Sequence, residues 1–134
     1  MLKILHAEDD AEFAKQLADA LGGMLDIELR STFEMTIGAL ESWPVKFDFV
    51  LLDLSLPDSN KELTISRIPE LVKAAGDAKI VVFTALGEPG DRERCIELGA
   101  IWFCPKNVGS LGKFQPILCV LDNLSNLEIY GTKR

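Results

Sequence analysis

Phe49, Val50, Leu51 and Leu52 are four apolar residues in a row without polar alternation, and the run stops at Asp53. A strand with one wet face alternates. A run that does not alternate belongs to a strand covered on both faces, as in a parallel sheet flanked by helices. Parallel strands cannot be joined by a tight turn and need a crossover, usually a helix. The rest of the chain should therefore alternate short apolar runs with longer helical segments.

It does so as far as about residue 126. Leu2–Ala7 reads as a first strand running into Glu8, Asp9 and Asp10. Phe13, Leu17, Leu21 and Met24 then share a helix face, with Gly22 and Gly23 as its stop. Leu25–Arg30 is a second strand with Ile27 and Leu29 on one side. Ser31 and Glu34 suggest a capping box for a helix that must end before Pro44. After the Asp53 strand and the loop 54–60, a helical region over 61–75 contains Pro69, which should kink or split it. Residues 79–83 form a buried strand ending at Thr84, 91–98 a short helix stopped by Gly99, and 101–104 a fifth strand. Leu111, Phe114, Ile117, Leu118, Leu121 and Leu124 mark a final amphipathic helix. Five strands alternating with five helices give an α/β, doubly wound five-stranded parallel sheet with helices on both faces.

At 134 residues, 48% apolar and 26% charged, the chain suits one domain with one core. Residues 1–126 carry the pattern, and 127–134 are a C-terminal tail or the start of a linker. A net charge of -7 argues against direct nucleic-acid binding and against an anionic membrane surface. No apolar run approaches the ~20 residues of a spanning helix, and no signal-peptide h-region opens the chain. Cys95, Cys104 and Cys119 share no metal-ligand spacing and are expected to be reduced, in a cytoplasmic protein.

The polar residues fall at strand ends: Glu8 and Asp9 after the first strand, Asp53 after the third, Thr84 after the fourth, Lys106 just past the fifth. In a parallel sheet these ends share one edge, the edge at which open α/β sheets bind ligands. With the first strand beside the third, three carboxylates crowd together and raise one another's pKa values unless a cation neutralises them. An all-oxygen cluster suits a hard divalent ion, and Mg²⁺ is the natural candidate. A metal, a hydroxyl and an ammonium beside a carboxylate make a site for a phosphoryl group. Asp53 would attack phosphorus and become an aspartyl phosphate.

These residues resemble the receiver domains of two-component response regulators, over nearly the whole chain. The matching stretches are KILHAEDD at 3–10, LLDLSLP at 51–57, VVFTA at 81–85 and GAIWFCPK at 99–106. They are separated by 44 positions from Asp9 to Asp53, 31 from Asp53 to Thr84 and 22 from Thr84 to Lys106. The resemblance implies a flavodoxin-like fold with strand order 2-1-3-4-5, an order the chemotaxis member of this family exemplifies. It implies Asp53 as phosphoacceptor and Asp9 as a direct Mg²⁺ ligand. Glu8 would act largely through water, and the backbone carbonyl of Ser55 would complete the metal site. Thr84 resembles the switch hydroxyl, Lys106 the lysine that pairs with the phosphoryl group, and Phe103 the aromatic that swings inward as the threonine moves. The implied donor is a sensor histidine kinase or a phosphotransfer protein. The implied output is a downstream protein met by the face of the fourth helix, fifth strand and fifth helix. Such a protein phosphorylates and slowly dephosphorylates itself and is not an enzyme in the turnover sense.

Plainer readings stand beside these. Asp10 reads as a cap for the first helix, Thr84 can be satisfied by backbone, and Phe103 can be core. His6, inside the first strand, reads as a buried neutral imidazole with one hydrogen bond; Trp43 and Trp102 read as packing or surface residues. Two departures from the family pattern concern presentation. Asn107 follows Lys106 where the family has a proline in a cis peptide, and without proline that bond costs roughly 3–4 kcal/mol more in cis, so trans is expected. Lys61 replaces a common glycine, which should alter the loop after Asp53. Two other function classes remain open. A Mg²⁺-dependent phosphatase of the haloacid dehalogenase type would want a second aspartate at position 55, where Ser55 stands. A phosphorylation-independent binding module would not need Asp9, Asp53, Thr84 and Lys106 together.

Overall fold

The computed structural model describes residues 2–21, 25–42, 46–106 and 113–130. The order is β1 (Leu2–Ala7), α1 (Ala11–Leu21), β2 (Leu25–Arg30), α2 (Phe33–Ser42), β3 (Phe49–Leu52), α3 (Lys61–Ser66), α4 (Ile68–Ala75), β4 (Lys79–Thr84), α5 (Asp91–Glu97), β5 (Trp102–Pro105) and α6 (Gln115–Tyr130). The five strands form one sheet in the order β2-β1-β3-β4-β5, every pair parallel.

Because successive side chains of a strand point to opposite faces, β3 feeds both sides. Val50 and Leu52 pack with Phe33, Ile37, Ile65, Ile68, Leu71 and Cys95. Phe49 and Leu51 pack with Phe13, Leu17, Leu21, Ile117 and Leu121. One face is therefore covered by α2 to α5 and the other by α1 and α6, which is why the run lacks alternation. Each fully buried Leu or Ile in these layers is worth about 1.5–3 kcal/mol.

Local chemistry sets the helix ends. Asp10 caps α1, its carboxylate accepting from the Phe13 amide at 3.0 Å. Asn60 caps α3 by accepting from the Leu63 amide at 2.9 Å. Pro69 splits the expected 61–75 helix into α3 and α4, and it sits in the first turn of α4, where its missing N–H costs nothing. The Ser31–Glu34 capping box does not form. Thr32 is the cap, taking the Met35 amide at 3.0 Å. The Phe33 and Glu34 amides go to the Asp58 carboxylate at 2.8 and 3.0 Å, from the loop after β3. A distant acid there displaces the local one, because two oxygens satisfy two orphan amides at once. Gly99 ends the α5 region with φ +125, and a Cβ there would lie 2.7 Å from Val72 Cγ2, so both backbone and space require glycine.

β5 is shifted one residue from its expected span. Leu29, read as sharing a side with Ile27, is exposed, whereas Ile27 packs on the core. α6 continues past Asn126 to Tyr130. Met24, the Gly22-Gly23 stop, Trp43, Pro44, Asn107 with its peptide bond and Leu111 lie outside the described residues. Among the described residues no helix is long and apolar enough to cross a membrane.

Candidate functional site

The register of the sheet builds the site. β1 and β3 pair with Ala7 opposite Leu52, so Glu8 and Asp53 leave the sheet side by side. The Asp53 amide still bonds to the Ala7 carbonyl at 3.1 Å. β4 and β5 end together with Thr84 opposite Pro105, and the Lys106 amide bonds to the Thr84 carbonyl at 2.8 Å. Four strand ends thus converge, and with them every group the sequence singled out at this edge.

Asp53 is 1% exposed, and both its oxygens are engaged. Thr84 Oγ1 donates to Oδ1 at 2.8 Å, and the Ser55 amide donates to the same oxygen at 3.3 Å. Ser55 Oγ donates to Oδ2 at 3.0 Å, and Lys106 Nζ does so at 3.2 Å. Lys106 also donates to Glu8 Oε1, while Glu8 Oε2 accepts from the Asp10 amide at 3.2 Å. Thr84 is more than a strand-end hydroxyl satisfied by backbone. It reaches the carboxylate and also accepts from the Leu54 and Leu86 amides at 3.4 and 3.1 Å.

The two buried acids titrate in opposite directions. Burial pushes the Glu8 carboxyl up to about 7; the Lys106 hydrogen bond opposes this, and the Asp53 charge adds to it. Burial pushes Asp53 the same way, but the Lys106 charge and the hydrogen bonds from Thr84, Lys106 and Ser55 outweigh it, and its carboxyl is held below the ordinary value. Asp53 is therefore the acid of this pair that stays anionic at neutral pH.

Glu8, Asp9 and Asp53 each offer a carboxylate oxygen, and these atoms lie within 4.8 Å of one another. Three oxygen donors of this charge fit a hard divalent ion such as Mg²⁺ or Ca²⁺. Of the three only Asp9 is exposed, which gives an ion a side from which to enter. Asp10 is not one of the three; its carboxylate is turned to the start of α1. Phe103 is buried, its ring 3.4 Å from where a Cβ on Gly87 would stand. Trp102 is on the surface, with the Arg92 guanidinium 4.5 Å over its ring. Lys61, at the start of α3, bonds to Asp91 at 2.9 Å and lies 3.5 Å from Glu88. Arg94 in turn pairs with Glu62 and, at 3.3 Å, with Asp91.

Sequence reasoning did not anticipate the Ser55 hydroxyl on Asp53 or the ring of Phe13 beneath Lys106. Phe13 carried only a helical-spacing signal, which marks core. His6 corrects the expectation of one hydrogen bond: it is 1% exposed and neither ring nitrogen has a partner. Its strand amides are paired to the sheet, and its side chain enters an apolar layer beside Phe83. Burial, then the Lys106 charge, lowers its pKa from 6.5 to about 4.

A group depressed in this way contributes stability that is present above pH 6.5 and lost as pH falls through 4. A His6→Leu variant lacks that acid limb. The stability difference between His6→Leu and the parent should widen in favour of the variant by about 3 kcal/mol between pH 7 and pH 4. Urea denaturation at the two pH values measures it; a difference independent of pH would contradict a neutral buried imidazole.

No family model matches the chain. The Haemophilus influenzae homologue of the transcriptional regulatory protein CpxR is 29% identical over 137 residues, covering 96% of this chain and 57% of that protein. The chain spans about half the length of the curated relatives it matches. The non-phosphorylated receiver domain of HemR from Leptospira biflexa is 30% identical with a TM-score of 0.71, over 92% of this chain and 93% of that one. A Burkholderia pseudomallei response regulator, crystallised with a phosphorylated aspartic acid, a calcium ion and citrate, shares the fold. It is 20% identical with a TM-score of 0.69, over 94% of this chain and 75% of that one.

Proposed function

The chain belongs to the receiver domains of two-component response regulators, and on that premise we propose that Asp53 accepts a phosphoryl group from a partner histidine kinase or phosphotransfer protein. The observation that carries this reading is the buried, anionic Asp53 held between the Thr84 hydroxyl and the Lys106 ammonium, beside two further acids.

In the transfer an Asp53 oxygen forms the new O–P bond as the P–N bond of the donor phosphohistidine breaks. The electron pair of that bond returns to the imidazole, and the product is an acyl phosphate. Lys106 then loses half of its carboxylate partnership and turns its ammonium to the phosphoryl oxygens. Thr84, which now donates to Asp53 Oδ1, donates to a phosphoryl oxygen instead, drawing on the loop that carries Leu86. Mg²⁺ held by Asp9, Asp53, Glu8 and the Ser55 carbonyl would balance phosphoryl charge. Phe103 is assigned as the aromatic whose packing follows Thr84. The output surface is assigned to α5, β5 and α6, where Ile96 and Trp102 are each 38% exposed.

Turnover is confined to the protein's own side chain: self-phosphorylation and slow self-dephosphorylation. Ser55 donates to Asp53 rather than supplying the second acid a phosphatase of the dehalogenase type needs. The receiver unit is assigned to 1–126, with 127–134, which starts inside the end of α6, as tail or linker. Three unpaired thiols suit a cytoplasmic setting. Incubation with Mg²⁺ and acetyl phosphate, followed by intact-mass spectrometry, should give one labile phosphoryl group per chain. No incorporation would overturn the proposal, and sustained hydrolysis of an external phosphoester would favour an enzyme.

A further inference from the structure

We infer that Phe13 is a positioning residue for Lys106, holding its ammonium against Glu8 and Asp53 through the face of its ring. This rests on the reading of Asp53 as phosphoacceptor. Lys106 Nζ lies 4.4 Å from the Phe13 ring centroid and 5.9 Å from that of Phe83. The two rings lie 5.7 Å apart at 43° to each other, and Phe114 braces Phe13 from 5.3 Å. The Lys106 side chain is only 8% exposed, so the ring is its apolar wall while the two carboxylates are its polar one.

A lysine needs such a wall more than an arginine does. Its ammonium is a point charge on a four-carbon stem, with no planar fork to fix direction. Glu8 and Asp53 pull it toward themselves but do not choose between them. The ring's negative face attracts the cation from a third side, and the ring is rigid because α1 buries it with Leu17 and Leu21. Phe13 thus fixes the height of the ammonium above the sheet, at the spot from which it can reach Asp53 Oδ2 and a phosphoryl oxygen there. Lys113 also lies near this ring, at 5.9 Å, but it bonds to Gln16 and touches neither acid. It serves as a control.

The test replaces Phe13 with phenylalanine analogues bearing one, two and three ring fluorines, which drain the ring face of negative charge while keeping its shape. Phe13→Leu is made alongside. Two quantities are measured: the initial rate of Asp53 phosphorylation by acetyl phosphate with Mg²⁺, and the nuclear Overhauser contact between the Lys106 Hε protons and the Phe83 ring, which stays in place in every variant. The rate should fall stepwise with fluorine number, reaching about tenfold for Phe13→Leu. The Lys106–Phe83 contact should weaken in Phe13→Leu, and Lys113→Ala should leave it in place. A rate indifferent to fluorination, with the Lys106–Phe83 contact unchanged in Phe13→Leu, would make Phe13 core and nothing else. If the parent protein takes up no phosphoryl group, the phosphoacceptor reading fails, while the Lys106–Phe83 contact still decides whether Phe13 positions Lys106.

Discussion

An Asp53→Asn variant is expected to take up no phosphoryl group from acetyl phosphate and Mg²⁺ at any donor concentration, while remaining folded. The carboxamide keeps an oxygen that can accept from Thr84, so the hydrogen bond that orders the strand ends survives. What disappears is the negative charge that attacks phosphorus and one of the three oxygen anions of the cluster. The fold should tolerate the change because the remaining charges are easier to satisfy. The Asp53 charge is one of the causes that push Glu8 up, so its removal leaves Lys106 paired with a more readily ionised Glu8. A stability change within about 1 kcal/mol is expected, near the value of one hydrogen bond. Intact-mass spectrometry and thermal denaturation check both halves. A phosphoryl group on Asp53→Asn would move the acceptor to another residue and remove the basis of the proposed function.

Lys106→Met should cost about 3–5 kcal/mol of stability at alkaline pH, the usual penalty for deleting one partner of a buried ion pair. The Glu8 and Asp53 side chains are 1% and 2% exposed, and without the ammonium they face each other with only Thr84, Ser55 and the Asp10 amide as donors. The protein can relieve this by keeping a proton on Glu8, whose carboxyl already stands near 7 against 4.5 unfolded. A group raised in this way contributes stability that is fully present below its unfolded value and lost as pH rises through its folded one. In Lys106→Met the folded value climbs further, so the loss relative to the parent should grow from about pH 6 to about pH 8.5. Urea denaturation at those two pH values tests it, and the double variant Glu8→Gln with Lys106→Met should recover most of the loss. An equal loss at both pH values would mean that Glu8 does not carry the strain.

The strands were legible because burial on both faces leaves nothing but apolar residues between two polar ends. β1, β2 and β3 fall on the spans read from sequence for that reason. The convergence of Glu8, Asp9, Asp53, Thr84 and Lys106 was legible as well, since a parallel sheet delivers all its carboxyl ends to one edge. What could not be read were contacts made between segments far apart in the chain. Asp58 capping α2 from 25 residues away has no local signal, and the nearer Ser31–Glu34 pattern pointed to the wrong cap. The bare imidazole of His6 is likewise a tertiary outcome: sequence says buried, and only packing decides whether an acceptor stands within reach. Phe13 looked like any other apolar position of an amphipathic helix, because periodicity records which face is buried and not what is buried against it.

The opposite charges that lace Lys61 and Glu62 to Asp91 and Arg94 tie together the helices entered from the Asp53 and Thr84 loops. A shift of either loop that moves its helix has to stretch these ion pairs, so they link the two helices as a yoke would. Ionic strength becomes a dial on that yoke. Arg94 and Glu62, 45% and 65% exposed, should slacken in salt, while Lys61 grips an Asp91 that is only 5% exposed and should hold.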